Sequence, residues 1–391
     1  MVKIELNQRY QGRPSPAEMK RRWNLASQAM KEQDIDCLVM QANDGIFPQY
    51  VRWFAERRTI QPCVIMFDQN HNLSIITHGP LGSKVSAYGM EFANSISEPQ
   101  VNVVFYGNNA VSDHAVGIIK KEGYKKIGIL GLNILPAAFY INLTRSLPNN
   151  EIVDASDMID QLIAVKSEEE LAMLDGALKV HEAVANAIPA MVYAGRLERE
   201  FAADLCRLAI VLGADEHLSN IMICSQKIPG PMHQYHYMNK IIEEGDTLNV
   251  LFEVPDKTGY YADFHHYWGV GTPAPDSIKA MEISVEAHEY MAALCRPGAK
   301  ASDVFVQMNE WKKNRGMDPE LRMLGHGQGY GLTERPYFDA NDPMILKENM
   351  YVALHPATQS GEASVAVARN YIITKDGAKR VSAYPMPLGV I

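Results

Sequence analysis

Apolar positions in the first part of the chain alternate between helix-spaced stretches and short unbroken runs. Met19, Trp23, Leu25, Ala26 and Met30 gather near one face, which predicts a helix over 16–33 opened by Ser15 as its N-cap. Runs of strand length follow at 37–40, 63–67, 74–77 and 101–105. A helical pattern near 113–122 and a strand at 126–130 come next. Strands alternating with helices predict a layered α/β domain with a mostly parallel or mixed sheet.

The pattern changes near residue 158. Ser167-Glu168-Glu169-Glu170 is a capping box, and Leu171, Leu174, Ala177, Leu178, His181 and Ala185 continue it at helical spacing. A second helix is predicted over 197–212, strands over 219–225, 247–254 and 259–270, and helices over 275–294 and 300–314. Strands at 350–356 and 364–374 close the pattern. Helices set between blocks of antiparallel-looking strands predict an α+β domain over 158–391, preceded by the smaller α/β domain over 1–157. The chain shows no repeat at a solenoid period and no low-complexity segment.

Composition narrows the class. A net charge of -9 argues against nucleic-acid binding, which calls for a basic face. No run of about 18 uninterrupted apolar residues is present, so no membrane-spanning helix is predicted. The start Met1-Val2-Lys3-Ile4-Glu5 carries no secretory apolar run, and the five cysteines are scattered without CxxC spacing. Both features predict a cytoplasmic protein with reduced thiols.

Histidines and carboxylates then mark the chemistry. His233, with His236 as the competing assignment, lies in a loop ahead of Glu244-Gly245-Asp246, and an imidazole can move a proton either way near neutral pH. Strand alternation puts Asp263 and His265 on one face and His266 on the other. Asp263 could orient His265 or form a plain ion pair with it. Glycines flank His326 in Gly325-His326-Gly327-Gln328-Gly329, and Glu334-Arg335-Pro336 follows shortly after. Leu354-His355-Pro356 ends a later strand.

Gly259-Tyr260-Tyr261-Ala262-Asp263, the His326 block and Leu354-His355-Pro356 together resemble the pita-bread family of methionine aminopeptidase, prolidase, aminopeptidase P and creatinase. Metal-dependent members ligate two ions with Asp, Asp, His, Glu and Glu. Only Asp263 and His326 match that set. The first Asp falls on Leu251 or Phe252, the first Glu on His355 and the second Glu on Ala368. Two divalent ions about 3.5 Å apart need bridging carboxylates, and this set supplies one.

The resemblance therefore implies the metal-free, creatinase-like branch. His233 would be the general acid–base there, with Asp263, His265, His326, His355 and Glu334 around it. Arg335 would clamp a substrate carboxylate through its planar fork. Phe252 would be a further substrate contact. The segment Tyr50–Arg58 resembles one that reaches a neighbouring subunit's pocket in creatinase dimers, so Trp53, Arg57 and Arg58 are candidate contacts, with Trp53 alternatively a core residue. The implied protein is a homodimer without cofactor or metal, completing its site from the neighbour's first domain. It would hydrolyse a C–N bond of a small anionic amidino, guanidino or amide compound. Three alternatives stay open. They are a lyase using the same pocket, a hydrolase holding one zinc or iron on Asp263, His326 and His355 with His265 or Glu253, and an inactive binding protein.

Overall fold

The structure, a computed structural model, describes residues 13–42, 49–56, 63–79, 90–102, 109–214, 220–230 and 239–391. The described residues fall into two compact units, Arg13–Ile163 and Ala164–Ile391.

The first unit is one mixed sheet with helices. Its strands are β1 (Cys37–Ala42), β2 (Cys63–Asp68), β3 (Asn72–Gly79), β4 (Ser95–Ser97), β5 (Gln100–Asn102), β6 (Lys126–Leu130) and β7 (Glu151–Asp154). They run in the order β4-β3-β2-β1-β6-β7, with β5 also on β3. β1 is antiparallel to β2 and parallel to β6, so the sheet is mixed. Val39, Val64, Met66, Ile127 and Ile129 bury against the helices Ala110–Glu122 and Ala137–Ser146. The first helix, Pro16–Glu32, begins where Ser15 accepts the Glu18 N–H at 3.1 Å, the cap read from the sequence. The short helix Gln49–Ala55 has no legible period because all seven residues are buried.

The second unit is built from two sheets, antiparallel except where β18 runs parallel to β10, each covered on one face by a helix pair. Its strands are β8 (Asn220–Gln226), β9 (Thr247–Glu253), β10 (Phe264–Gly269), β11 (Gly325–Gly327), β12 (Glu334–Tyr337), β13 (Tyr351–Leu354), β14 (Ala357–Ser360), β15 (Ala363–Ala366), β16 (Arg369–Thr374), β17 (Gly377–Arg380) and β18 (Gly389–Val390). One sheet has the order β18-β10-β9-β8 and the other β12-β11-β13-β16-β17, while β14 and β15 form a hairpin. An isolated bridge between His265 and Ala368 links the two sheets.

Period-two alternation decides which face does what. Leu248, Val250, Phe252, Phe264 and Trp268 pack onto the helices Glu168–Met191 and Glu198–Val211 through Val184, Ile188, Phe201 and Leu205. Val352, Leu354, Tyr371 and Ile373 pack onto the helices Pro275–Leu294 and Ala301–Lys313 through Met291, Val304 and Met308. The opposite faces are thereby left to Asn249, Glu253, Asp263 and His265 on the first sheet. On the second they are left to His326, Gln328, Tyr351 and His355. Among the described residues no helix is long and apolar enough to cross a membrane.

Candidate metal centre

Asp263 stands at the start of β10, where its backbone leaves the ladder for a side-chain clamp. Asn370 on β16 accepts the Asp263 N–H at 3.2 Å and donates to its carbonyl at 2.7 Å. The carboxylate is buried, and among the described residues Oδ1 has no hydrogen-bond partner. Burial raises its pKa, with the charge of Arg369 working the other way.

His326 comes from the middle of β11. Neither Gly325 nor Gly327 has room for a Cβ, because the carbonyls of Ala353 and Arg335 press on those positions. Glycine there lets β11 sit tightly between β12 and β13. His326 Nδ1 donates to the Gly327 carbonyl at 2.9 Å, which fixes the tautomer and leaves the Nε2 lone pair free. That Nε2 lies 3.8 Å from Asp263 Oδ2. His355 follows β13, and its backbone N–H donates to Leu324 at 2.8 Å. The two imidazoles are 5.3 Å apart, centroid to centroid.

One ligating atom each from Asp263, His326 and His355 lies within 4.8 Å of the other two. Burial pushes His326 down to about 4 and His355 well below the usual imidazole range, the latter with His326 and Arg322 adding to the effect. Both rings are therefore neutral donors at pH 7. Two neutral imidazoles and a carboxylate suit one zinc or iron ion, and the free Asp263 Oδ1 is a buried acceptor that such a cation satisfies. The same residues do not suit a bridged pair of ions. Phe252 lies in the core on the far face of β9, its ring centroid 4.5 Å from that of His181, and Ala368 offers no donor.

The remaining residues singled out from the sequence fall in different places. His265 faces the same side as Asp263, but its Nε2 bonds to Asn249 Oδ1 at 2.6 Å, so Asn249 and not Asp263 orients it. Burial, then Arg322 and Arg369, push His265 down to about 3. His266 points to the opposite face against Arg369 and Tyr384. Glu334, expected around the catalytic histidine, is held on both of its oxygens. Its Oε2 is paired with buried Lys166 at 2.8 Å and its Oε1 accepts the Gly331 N–H at 2.8 Å, so it anchors the loop after β11. Arg335 is turned to Asp342 in a two-pronged ion pair, with Nη2–Oδ1 at 2.6 Å and Nε–Oδ2 at 3.1 Å, instead of being presented to a substrate. Phe252 as a substrate contact is likewise corrected by its place in the core. Trp53 is buried within the first unit against Phe54 and Arg22, matching its alternative reading as core. His233, His236, Arg57 and Arg58 lie outside the described residues.

Three positioning residues escaped the sequence reading: Asn370, Asn249 and Lys166. Asn370 and Asn249 lie in strands β16 and β9, and Lys166 lies just ahead of a helix. Without the register nothing says which group each one meets.

Residues 172–375, more than half of the chain, match metallopeptidase family M24. The chain belongs to this family. Among M24 relatives, a "Probable dipeptidase PepE" of Mycobacterium tuberculosis is 26% identical over 239 residues, which span 61% of this chain and 63% of that protein. The chain thus spans just under two thirds of that curated relative. An "Xaa-Pro dipeptidase" of Pyrococcus horikoshii is 26% identical over 267 residues, 67% of this chain and 74% of the relative. The crystal structure of an X-Pro aminopeptidase from Thermotoga maritima superposes with a TM-score of 0.79 at 18% identity, covering 95% of this chain and 99% of that one. The pita-bread architecture with a small first domain is therefore shared. The metal-independent, creatinase-like reading is overturned, because the matching family is one of metallopeptidases and these relatives are named as dipeptidases.

Proposed function

We propose that this M24 protein is a hydrolase working with a single zinc or iron ion on Asp263, His326 and His355, and that it cleaves the amide C–N bond of a dipeptide-sized substrate. The observation that carries the reading is the convergence of those three donors within 4.8 Å, with Asp263 Oδ1 unpartnered among the described residues. The dipeptidase names of its relatives support the substrate class.

An ion of this kind polarises a carbonyl as a Lewis acid and activates water near neutral pH. The protein's own residues do the rest. Asn370 holds Asp263 from the second sheet, so the carboxylate and the imidazoles stay in register. The Gly327 carbonyl fixes His326 with its Nε2 facing Asp263. Lys166 and Glu334 hold the glycine-rich turn after β11 in place.

The test is turnover of a panel of dipeptides, including ones with proline second, by chelator-stripped protein and by protein reloaded with zinc or ferrous iron. Hydrolysis should need the metal and fall by about a hundredfold or more in His355→Ala, as expected when a metal's electrostatic contribution is lost. Turnover that survives stripping, or that persists in Asp263→Asn, would sink the reading.

A further inference from the structure

A second buried carboxylate, Glu253, open above only as an alternative ligand beside His265, lies on the face of β9 turned to the same site. Counting back from Asp263 puts the place of the family's first Asp on Leu251 or Phe252, and Phe252 belongs to the core. The strand register says something else. Phe252 pairs with Phe264 and Leu251 with His265, so the next step brings Glu253 opposite Asp263.

The type of pairing matters. Asp263 turns its N–H and carbonyl to Asn370, and the His265 carbonyl accepts from Ala368 N at 3.0 Å, both away from β9. Positions 263 and 265 are therefore the non-hydrogen-bonded kind of antiparallel pair, in which facing side chains approach most closely, with Cβ atoms about 4.5–5.5 Å apart. Alternation along β9 confirms the face. Leu248, Val250 and Phe252 go to the helices, while Asn249 reaches His265 on the other side at 2.6 Å. Glu253 shares the Asn249 side.

Glu253 is buried at 6% exposure. Its Oε2 accepts from Asn220 Nδ2 at 2.7 Å, and among the described residues Oε1 has no hydrogen-bond partner. Two buried carboxylates placed opposite each other repel, and among the described residues Asp263 Oδ1 has no hydrogen-bond partner. Burial and the neighbouring Asp263 both raise the Glu253 pKa, which reports the same conflict. A cation between them removes it. Glu253 stands outside the Asp263–His326–His355 triad because its carboxylate is turned toward Asn220. To join the triad it must leave Asn220 for another staggered rotamer.

We propose that Glu253 is the fourth protein donor of the metal centre, displaced by one residue from the place where alignment looks for it. The inference rests on the one-ion reading above and specifies its donor set as Asp, Glu, His and His. Four donors with two carboxylates would neutralise a divalent ion, as the Asp263 triad alone does not.

The experiment uses the full chain stripped of metal, titrated with zinc by competition against a chromophoric chelator, and with cobalt by visible absorption. Glu253→Gln should bind zinc more than about a hundredfold more weakly than wild type, beyond the usual 10–100-fold effect of a residue that only supports a ligand. Its cobalt spectrum should lose intensity as water replaces a protein oxygen. Glu253→Asp, which keeps the carboxylate, should recover part of the affinity and so separates ligation from misfolding. Zinc affinity in Glu253→Gln within about threefold of wild type, with an unchanged cobalt spectrum, overturns the inference and leaves the triad intact. Failure of wild type itself to bind zinc or cobalt overturns both readings and is distinguishable from the first result.

Discussion

The side-chain amide of Asn370 holds both backbone groups of Asp263, accepting the N–H at 3.2 Å and donating to the carbonyl at 2.7 Å. Asn370 sits on β16 of one sheet and Asp263 at the start of β10 of the other, so this contact sets the carboxylate against the two imidazoles. Ser382 Oγ accepts a further hydrogen from the Asn370 amide at 3.2 Å, so the clamp is itself held.

Asn370→Ala should therefore act on stability and on the site together. Two buried backbone groups lose their partner, at a cost of about 1–3 kcal/mol each in the least relaxed case. Zinc affinity should fall by about 10–100-fold, the effect of losing a residue that orients a ligand. Urea unfolding and metal competition on the same variant check both. A loss of stability with unaltered zinc affinity would show that Asp263 keeps its place without the clamp.

The Lys166–Glu334 pair is predicted to be structural. Both side chains are almost fully buried, at 2% and 4% exposure. Glu334→Gln leaves a buried ammonium without its counter-charge and should cost about 3–5 kcal/mol, whereas Lys166→Met with Glu334→Leu should cost less than the single change. A double-mutant cycle by urea unfolding reads the difference. A stable Glu334→Gln protein that fails only in turnover would restore a catalytic role for Glu334.

Arg335 and Asp342 give a milder version of the same test. The Asp342 carboxylate also accepts the Tyr337 and Met344 N–H groups, at 2.7 and 2.9 Å. Although burial opposes it, these bonds and Arg335 hold its pKa below the usual carboxylate range. Arg335→Ala should lower stability by about 1–3 kcal/mol and leave zinc affinity alone, because the guanidinium is committed to the loop between β12 and β13. An increase in KM for acidic substrates with unchanged stability would contradict this.

Acid sensitivity should come partly from His288. Its Nε2 donates to the Val367 carbonyl at 2.8 Å and its Nδ1 accepts from the Tyr371 hydroxyl at 3.0 Å, an arrangement for neutral imidazole. Burial pushes its pKa down to about 3. The unfolded chain takes up a proton near the ordinary value of about 6.5, so stability is whole above that pH. It declines as pH falls toward the folded value, by at most about 1.4 kcal/mol per pH unit from this group. In His288→Gln, the slope of unfolding free energy between pH 6.5 and 5 should be shallower than in wild type. An equal slope would remove His288 from the account.

Periodic elements were the most legible part of the fold. The helix at 275–294 and the strand at 126–130 were read with their observed bounds, because exposed polar residues mark the turn of one and flank the other. Gln49–Ala55 was not legible as a helix, since burial on every side erases its period. At the site, the residue types at 263, 326 and 355 were legible and their partners were not. Alternation put His265 beside Asp263, but only the pairing of β9 with β10 shows that Asn249 takes its hydrogen bond. The same register favours Glu253 over His265 as a further ligand, because a shift of one residue in an aligned motif exchanges the core face for the polar one.

The most direct measurement is zinc stoichiometry of the full chain, stripped with chelator, reloaded and analysed by elemental mass spectrometry, with Asp263→Asn beside it. The account predicts about one equivalent on wild type and a loss in the variant, as expected when a ligand that must be charged is removed. Less than about 0.1 equivalent on wild type, or equal loading of both proteins, would contradict a metal centre at Asp263, His326 and His355.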